Sequence, residues 1–250
     1  MLALNKITKR FTHHYRPVLD KLSITFHPGE FCIILGSNGS GKSTLLKMIS
    51  GEFQPDSGEL RLNQQPLFVM KQDIAIVAQD THLGVVLALS VFENILLGFL
   101  KNKKSRFLSY QRYRQSALSK LKDFDMSFLN DLDTPLAHLS GGQRQLVATM
   151  AALISGPKVL LLDEHTSALD PKMQKDVMDC TLKAIERERI LTLMVTHQLP
   201  DALRYGNRLI VLQQGQIILD VSGDEKKSLS ETQLKKLFYD GNDNGGASCL

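Results

Sequence analysis

The sequence predicts an α/β fold, and three observations carry that prediction. Apolar runs at residues 31–35, 158–163 and 191–196 have the length and composition of strands covered on both faces of a sheet. The first runs directly into a glycine-rich turn, residues 36–44, followed by a short helical stretch. Between the first and second runs lies a long segment, residues 80 to about 155, whose apolar spacing is mainly helical.

The elements follow in order. Leu2, Leu4 and Ile7, then Val18 and Leu19, then Leu22, Ile24 and Phe26 mark short strand-like segments, and His27-Pro28-Gly29-Glu30 is a turn before the strand at 31–35. After the glycine-rich turn, residues 45–50 read as a helix closed by Gly51. Residues 58–78 alternate loosely and end in a strand at 74–79. From Ser90 to about Asp133 the period turns helical, and the last helix of this insertion opens after Ser140. The strand at 158–163 is followed by a helix over about 171–187, the strand at 191–196, and a helix opening at Pro200. A hairpin of 208–212 with 216–220, turning at Gln214-Gly215, and a terminal helix over 226–238 complete the fold. The expected organisation is one domain over 1–240, with a core of 1–79 and 156–225, a helical subdomain of 80–155 and a loose tail of 241–250. No internal repeat is visible.

Composition excludes several classes. With 43% hydrophobic and 22% charged residues, the 250-residue chain folds rather than staying disordered. A formal charge of +4 is too small to imply nucleic acid by itself. Cys32, Cys180 and Cys249 are scattered and form no CxxC spacing, which argues against a disulfide scaffold or a cysteine zinc site and fits the cytosol. No secretory leader and no run of 18 uncharged apolar residues is present, so any role at a membrane is expected to go through a partner.

The chemistry starts at Gly36-Ser37-Asn38-Gly39-Ser40-Gly41-Lys42-Ser43-Thr44, which matches GxxxxGK[ST] between a strand and a helix. Glycines let the backbone wrap so that its N–H groups and the helix N-terminus point at phosphate oxygens. Lys42 brings a point charge to the β and γ phosphates, and the Ser43 hydroxyl completes a Mg²⁺ shell. Asp163, at the end of an apolar strand, stands where a carboxylate holds Mg²⁺, and Glu164 beside it is a candidate general base.

Leu139-Ser140-Gly141-Gly142-Gln143 is the signature pentapeptide of ABC-type ATPases, and the chain resembles that family from about Leu2 to Asp220. Gln79 matches its Q-loop, Ser167-Ala168-Leu169-Asp170 its D-loop and His197 its switch histidine. The resemblance implies a P-loop NTPase of the ABC ATPase type, with a mixed sheet core, an antiparallel β subdomain and a helical subdomain. It implies a head-to-tail dimer in which each ATP lies between one copy's phosphate loop and the other's signature. On that basis Glu164, His197 and Gln79 are the catalytic candidates, and Ser43, Gln79 and Asp163 the Mg²⁺ ligands. The loop residues Gly36 to Thr44, with Ser140, Gly141, Gly142 and Gln143 from the opposite copy, hold the nucleotide. Ser140 also reads as an N-cap, and a helix N-terminus is an anion site in its own right. Adenine is expected to stack on Phe11, with Tyr15 as the alternative.

The implied partners are a second copy, transmembrane permease subunits and, indirectly, a solute-binding protein; no nucleic acid is expected. His165 departs from the family's usual proline, with a charge state expected to respond near physiological pH. Together with residues 205–208 and 221–227, it makes the chain resemble importer ATPases associated with amino-acid transport. The alternative is an export or lipoprotein-release ATPase, and the alternative from another class is a catalytically silent interaction module. Two stretches keep two readings each. The eight basic residues between Lys101 and Lys122 form either a solvated face or a contact for anionic lipid. Leu83, Val85, Val86, Leu87, Leu89, Val91 and Phe92 form either a satellite core or an apolar surface for a partner's coupling helix.

Overall fold

The computed structural model describes residues 1–12, 15–80, 84–102, 110–121, 132–167 and 169–240. Along the chain lie β1 (Leu2–Lys9), β2 (Leu19–Phe26), β3 (Phe31–Leu35), α1 (Lys42–Ile49), β4 (Ser57–Leu62), β5 (Gln65–Pro66), β6 (Ile74–Val77), α2 (Val91–Leu100) and α3 (Tyr110–Leu121). They are followed by α4 (Gly141–Ile154), β7 (Val159–Asp163), α5 (Pro171–Glu188), β8 (Leu191–Thr196), α6 (Leu199–Arg204), β9 (Arg208–Gln213), β10 (Gln216–Ser222), α7 (Gly223–Lys227) and α8 (Glu231–Asp240). Two compact units result: Met1–Val69 with the described chain from Leu193 onward, and Met70–Thr192.

In the first unit, β1 pairs antiparallel with β2 and β4, giving the order β2-β1-β4-β5. The register sets Leu2 opposite Phe26 and Leu62, and Leu4 opposite Ile24 and Leu60, so cross-strand apolar pairs stack on one buried face. β3 runs parallel to β9, and β9 antiparallel to β10. All five residues of β3 are buried, as a strand covered on both faces requires. Arg208 ties these strand ends together: Nε and Nη2 each donate to Asp220 at 2.7 Å, and Nη1 donates to the Thr25 carbonyl at 2.8 Å and to Glu30 at 3.1 Å. The terminal helix expected over 226–238 is instead two helices. Ser230 begins the second with a reciprocal cap, its N–H donating to Gln233 Oε1 at 2.8 Å and its Oγ accepting from Gln233 N–H at 3.3 Å.

In the second unit, β6 and β7 run parallel, and β8 opens where Leu191 N–H donates to the Lys158 carbonyl at 3.2 Å. α2, α3, α4 and α5 enclose an apolar core that includes Val91, Phe92, Ile95, Leu146 and Val177. Gly98 lets α2 approach α4, since a Cβ there would lie 2.2 Å from the Ala151 carbonyl oxygen. The apolar run of residues 83–92 therefore serves mainly this core. Val91 and Phe92 are buried in it, Val85 and Leu87 pack against it, Val86 is exposed, and Leu83 lies outside the described residues. Part of the basic stretch also serves the core: the Arg114 guanidinium lies 5.2 Å from the Phe92 ring centre and Lys120 Nζ 5.9 Å from that of Phe99. Lys103, Lys104, Arg106 and Lys122 lie outside the described residues, as do Cys249 and the tail of 241–250. Cys32 and Cys180 are buried, and among the described residues no helix is long and apolar enough to cross a membrane.

Candidate nucleotide site

The first unit carries the phosphate loop. Gly36 follows β3 with no room for a side chain: a Cβ would meet the Leu212 carbonyl oxygen at 2.4 Å. Gly41, at the N-cap position of α1, has φ +105°, and its Cβ would meet the Val18 carbonyl oxygen at 2.8 Å. Gly39 has φ +78° with open space around it. The hairpin turn of β9 and β10 braces the loop, with Gly215 N–H donating to the Ser40 carbonyl at 3.0 Å and Asp20 N–H to the Gly215 carbonyl at 3.2 Å. Lys42, the first residue of α1, is buried and folds back so that Nζ donates to the Gly36 and Ser37 carbonyls, both at 2.8 Å. Ser43 is exposed beside it, and Asn38 and Thr44 flank the same turn. Phe11 packs edge-on against Phe53, with ring centres 5.6 Å apart, whereas Tyr15 stands wholly exposed.

His197 follows β8 and is exposed. Asp201, buried in the first turn of α6, has its carboxyl pushed upward by burial, an effect opposed by Arg204 and by His197.

The second unit carries the carboxylates and the signature. Asp163 ends β7, and Glu164 follows in the left-handed region at φ +46°. An L-residue held there is strained by about 1–2 kcal/mol, so the surrounding turn must hold it. Ser167 does so from its N–H and Oγ, which donate to the Glu164 carbonyl at 3.0 and 2.8 Å. Gln79 joins the same turn, its Nε2 donating to Ser167 Oγ at 3.4 Å. Asp170 caps α5, accepting from the Lys172 and Met173 amides at 3.1 Å each, and Ala168 lies outside the described residues.

His165 is 1% exposed, and neither ring nitrogen has a hydrogen-bond partner among the described residues. Burial lowers its pKa to about 4, so it stays neutral at physiological pH, contrary to the titration expected from the sequence.

Ser140 caps α4 as anticipated, and the cap is a full capping box. Its Oγ accepts from Gln143 N–H at 3.3 Å and its N–H donates to Gln143 Oε1 at 3.0 Å. Ser140 and Gly141 face solvent, while Gly142 is pressed to Met173, whose Cγ would lie 2.5 Å from a Cβ at that position.

A groove of ≈ 530 Å³ lies in the same unit, with exposed Ile76, Val86 and Leu97 on its walls and Gly98, Ala148 and Ala151 among its small residues. Asn94 builds one wall: its Oδ1 accepts from Val86 N–H at 2.7 Å, and its Nδ2 donates to the carbonyls of Val86, Leu89 and Ser90 at 3.0, 3.3 and 2.9 Å. Sequence reading singled out neither Asn94 nor Gln145, which donates to the Ala78 carbonyl at 3.2 Å. The usable signal was a polar amide within an apolar helical run, which must find a partner when buried.

A phosphate loop opening α1 defines a nucleoside-triphosphate site, and the comparisons with known proteins fix its kind. The family described as "ABC transporter" matches residues 19–167. The chain is 38% identical over 247 residues to the tyrosine transport ATP-binding protein of Clostridioides difficile, covering 95% of this chain and 98% of that protein. It is 34% identical over 245 residues to a phosphonates import ATP-binding protein of Haloquadratum walsbyi, covering 97% and 78%. A solved dimeric, post-hydrolysis ATP-binding cassette bound to ADP and phosphate superposes with a TM-score of 0.75 at 29% identity, over 89% of this chain and 98% of that one. The chain belongs to the ABC transporter family. It has the ABC ATPase fold and is an ATP-binding, ATP-hydrolysing enzyme.

Proposed function

We propose that this ATPase acts as a head-to-tail dimer that powers solute import through separate membrane permease subunits, lying peripherally on the cytoplasmic side of the membrane. The observation that carries the reading is that one chain holds two phosphate-seeking features in different units. These are the loop of residues 36–44 and the solvent-facing, capped start of α4 at Ser140. The relative named for phosphonates import supports import, and the one named for tyrosine transport supports an amino acid or related small solute; a solute-binding protein that delivers it is part of the same proposal. No nucleic acid is required. The domain reading goes with it: core 1–79 and 156–225, helical subdomain 80–155, tail 241–250.

In this reading Phe11, held by Phe53, stacks on adenine. The backbone of Gly36, Ser37, Asn38, Gly39, Ser40, Gly41 and Thr44 and the Lys42 amine take the phosphate oxygens. The loop fits that ligand: Lys42 Nζ is already aimed at oxygen acceptors that phosphate can replace, and Gly39 leaves space. Ser43, Asp163 and Gln79 offer the oxygen ligands that Mg²⁺ takes, and the bound ion offsets phosphate charge. Glu164 accepts the proton of the attacking water, and His197 orients that water and the γ phosphate. Ser140, Gly141, Gly142 and Gln143 reach the opposite copy's ATP. The apolar groove beside Gln79 receives an amphipathic helix of the permease, which Gln79 senses.

Complementation tests the dimer. Ser140→Arg and Lys42→Ala chains should each be inactive alone, while their mixture restores one intact site and measurable hydrolysis. A mixture that forms heterodimers and stays inactive excludes the sandwich.

A further inference from the structure

Gln145, in the second turn of α4, is 1% exposed, and its Nε2 donates to the Ala78 carbonyl at 3.2 Å. A buried primary amide is costly unless bonded, so this contact selects one register of α4 against the end of β6. Ala78 lines the apolar groove and immediately precedes Gln79. From Gln79, the bonds to Ser167 and on to the Glu164 carbonyl reach the candidate base. From Gln145, α4 leads back one turn to the Ser140 cap. The Ala78-Gln79 dipeptide is thus connected one way to the signature helix and the other way to the backbone of Glu164.

We infer that Gln145 is a positioning residue that registers α4 and its Ser140 cap on the Gln79 loop, so that a partner helix entering the groove moves the two together. The partner rests on the function proposed above; the registration of α4 does not.

The test is a double-mutant cycle in basal ATPase of the whole chain. Gln145→Met keeps side-chain length and removes the donor. It is expected to lower kcat about fivefold with little change in KM for ATP, and to add little to Gln79→Ala, because both break one connected set. Thr181→Val is the control for mere structural loss. It removes a buried bond within α5, Thr181 Oγ1 to the Val177 carbonyl at 2.7 Å, and its effect should multiply with that of Gln79→Ala. Multiplicative effects of Gln145→Met and Gln79→Ala overturn the inference.

Should Gln145→Met not fold, hydrogen exchange in the Gln79→Ala chain decides: faster exchange in the first two turns of α4 is expected, and unchanged exchange there overturns the inference. Stimulation by permease-containing vesicles separates the two readings. A wild-type chain that is not stimulated, yet shows the non-multiplicative cycle, refutes the import function and leaves Gln145 in its role. Normal stimulation with multiplicative effects does the reverse.

Discussion

The phosphate loop and the region around Glu164 hold their chemistry by different means. The loop is set by backbone shape, because Gly36 and Gly41 leave no space for a Cβ, the Gly215 turn braces Ser40, and Lys42 is satisfied by two loop carbonyls. Around Glu164 the placement comes from side-chain bonds of 2.8–3.4 Å linking Gln79, Ser167 and a left-handed glutamate. A backbone wedge allows one conformation, whereas single neutral hydrogen bonds are worth about 0.5–1.5 kcal/mol each and can be exchanged. A fixed cradle and a rearrangeable candidate base suit an enzyme that must bind ATP, hydrolyse it and let go.

Glu164→Gln breaks the comparison most severely. The substitution leaves every residue of the phosphate loop unaltered, so ATP binding should persist while turnover falls by about 10²-fold or more, the proposed base having been lost. ATP trapped in this way should hold two copies together on gel filtration. A variant that binds ATP yet stays monomeric contradicts the sandwich, and one that turns over normally removes Glu164 from the base role.

Glycine substitutions probe the cradle. Gly41→Ala meets both a left-handed φ and the Val18 carbonyl, so it should lose more than 2 kcal/mol or so of stability and weaken ATP binding. Gly39→Ala meets the φ penalty alone, about 1 kcal/mol. Urea unfolding of the two variants, with ATP titrations beside it, measures the gap. Equal losses would show that the loop is not wedged.

This contrast also governs what the sequence disclosed. The loop, the β3 run and the Ser140 cap were readable because backbone geometry there demands particular residue types at fixed spacing. The Gln145–Ala78 and Gln79–Ser167 bonds were not, since glutamine and serine satisfy many partners and the pairing depends on how distant segments pack. The run of residues 83–92 was ambiguous for a related reason: apolar spacing says that a face is covered, not whether the core or a partner covers it. The titration expected of His165 follows from the ordinary imidazole pKa, which holds for a solvated ring, whereas the fold buries this one.

That burial makes a prediction of intermediate size. With its folded pKa near 4 and an unfolded value of 6.5, His165 binds more protons in the unfolded chain between those limits, so stability is retained above pH 6.5 and lost as pH falls toward 4. The loss between pH 7 and pH 5 should be on the order of 2 kcal/mol. Urea midpoints at the two pH values, for wild type and His165→Gln, measure it. A pH dependence unchanged by the substitution would assign the loss to other groups.

The smallest effect separates a structural cap from a functional one. Ser140 and Ser230 both start helices in an S-x-x-Q box, α4 in the second unit and α8 in the first, with the cap hydroxyl accepting from the third-residue amide at 3.3 Å in each. Replacing either with Ala removes that acceptor and should cost about 1 kcal/mol. At 25 °C, where a loss of that size leaves the chain folded, Ser230→Ala should hydrolyse ATP at the wild-type rate. Ser140→Ala should hydrolyse it more slowly than its stability loss accounts for, because its hydroxyl is proposed to face the other copy's ATP. Urea midpoints and ATPase rates measured on the same preparations supply both numbers, and if the two variants lose stability equally and activity equally, Ser140 is a helix cap and nothing more.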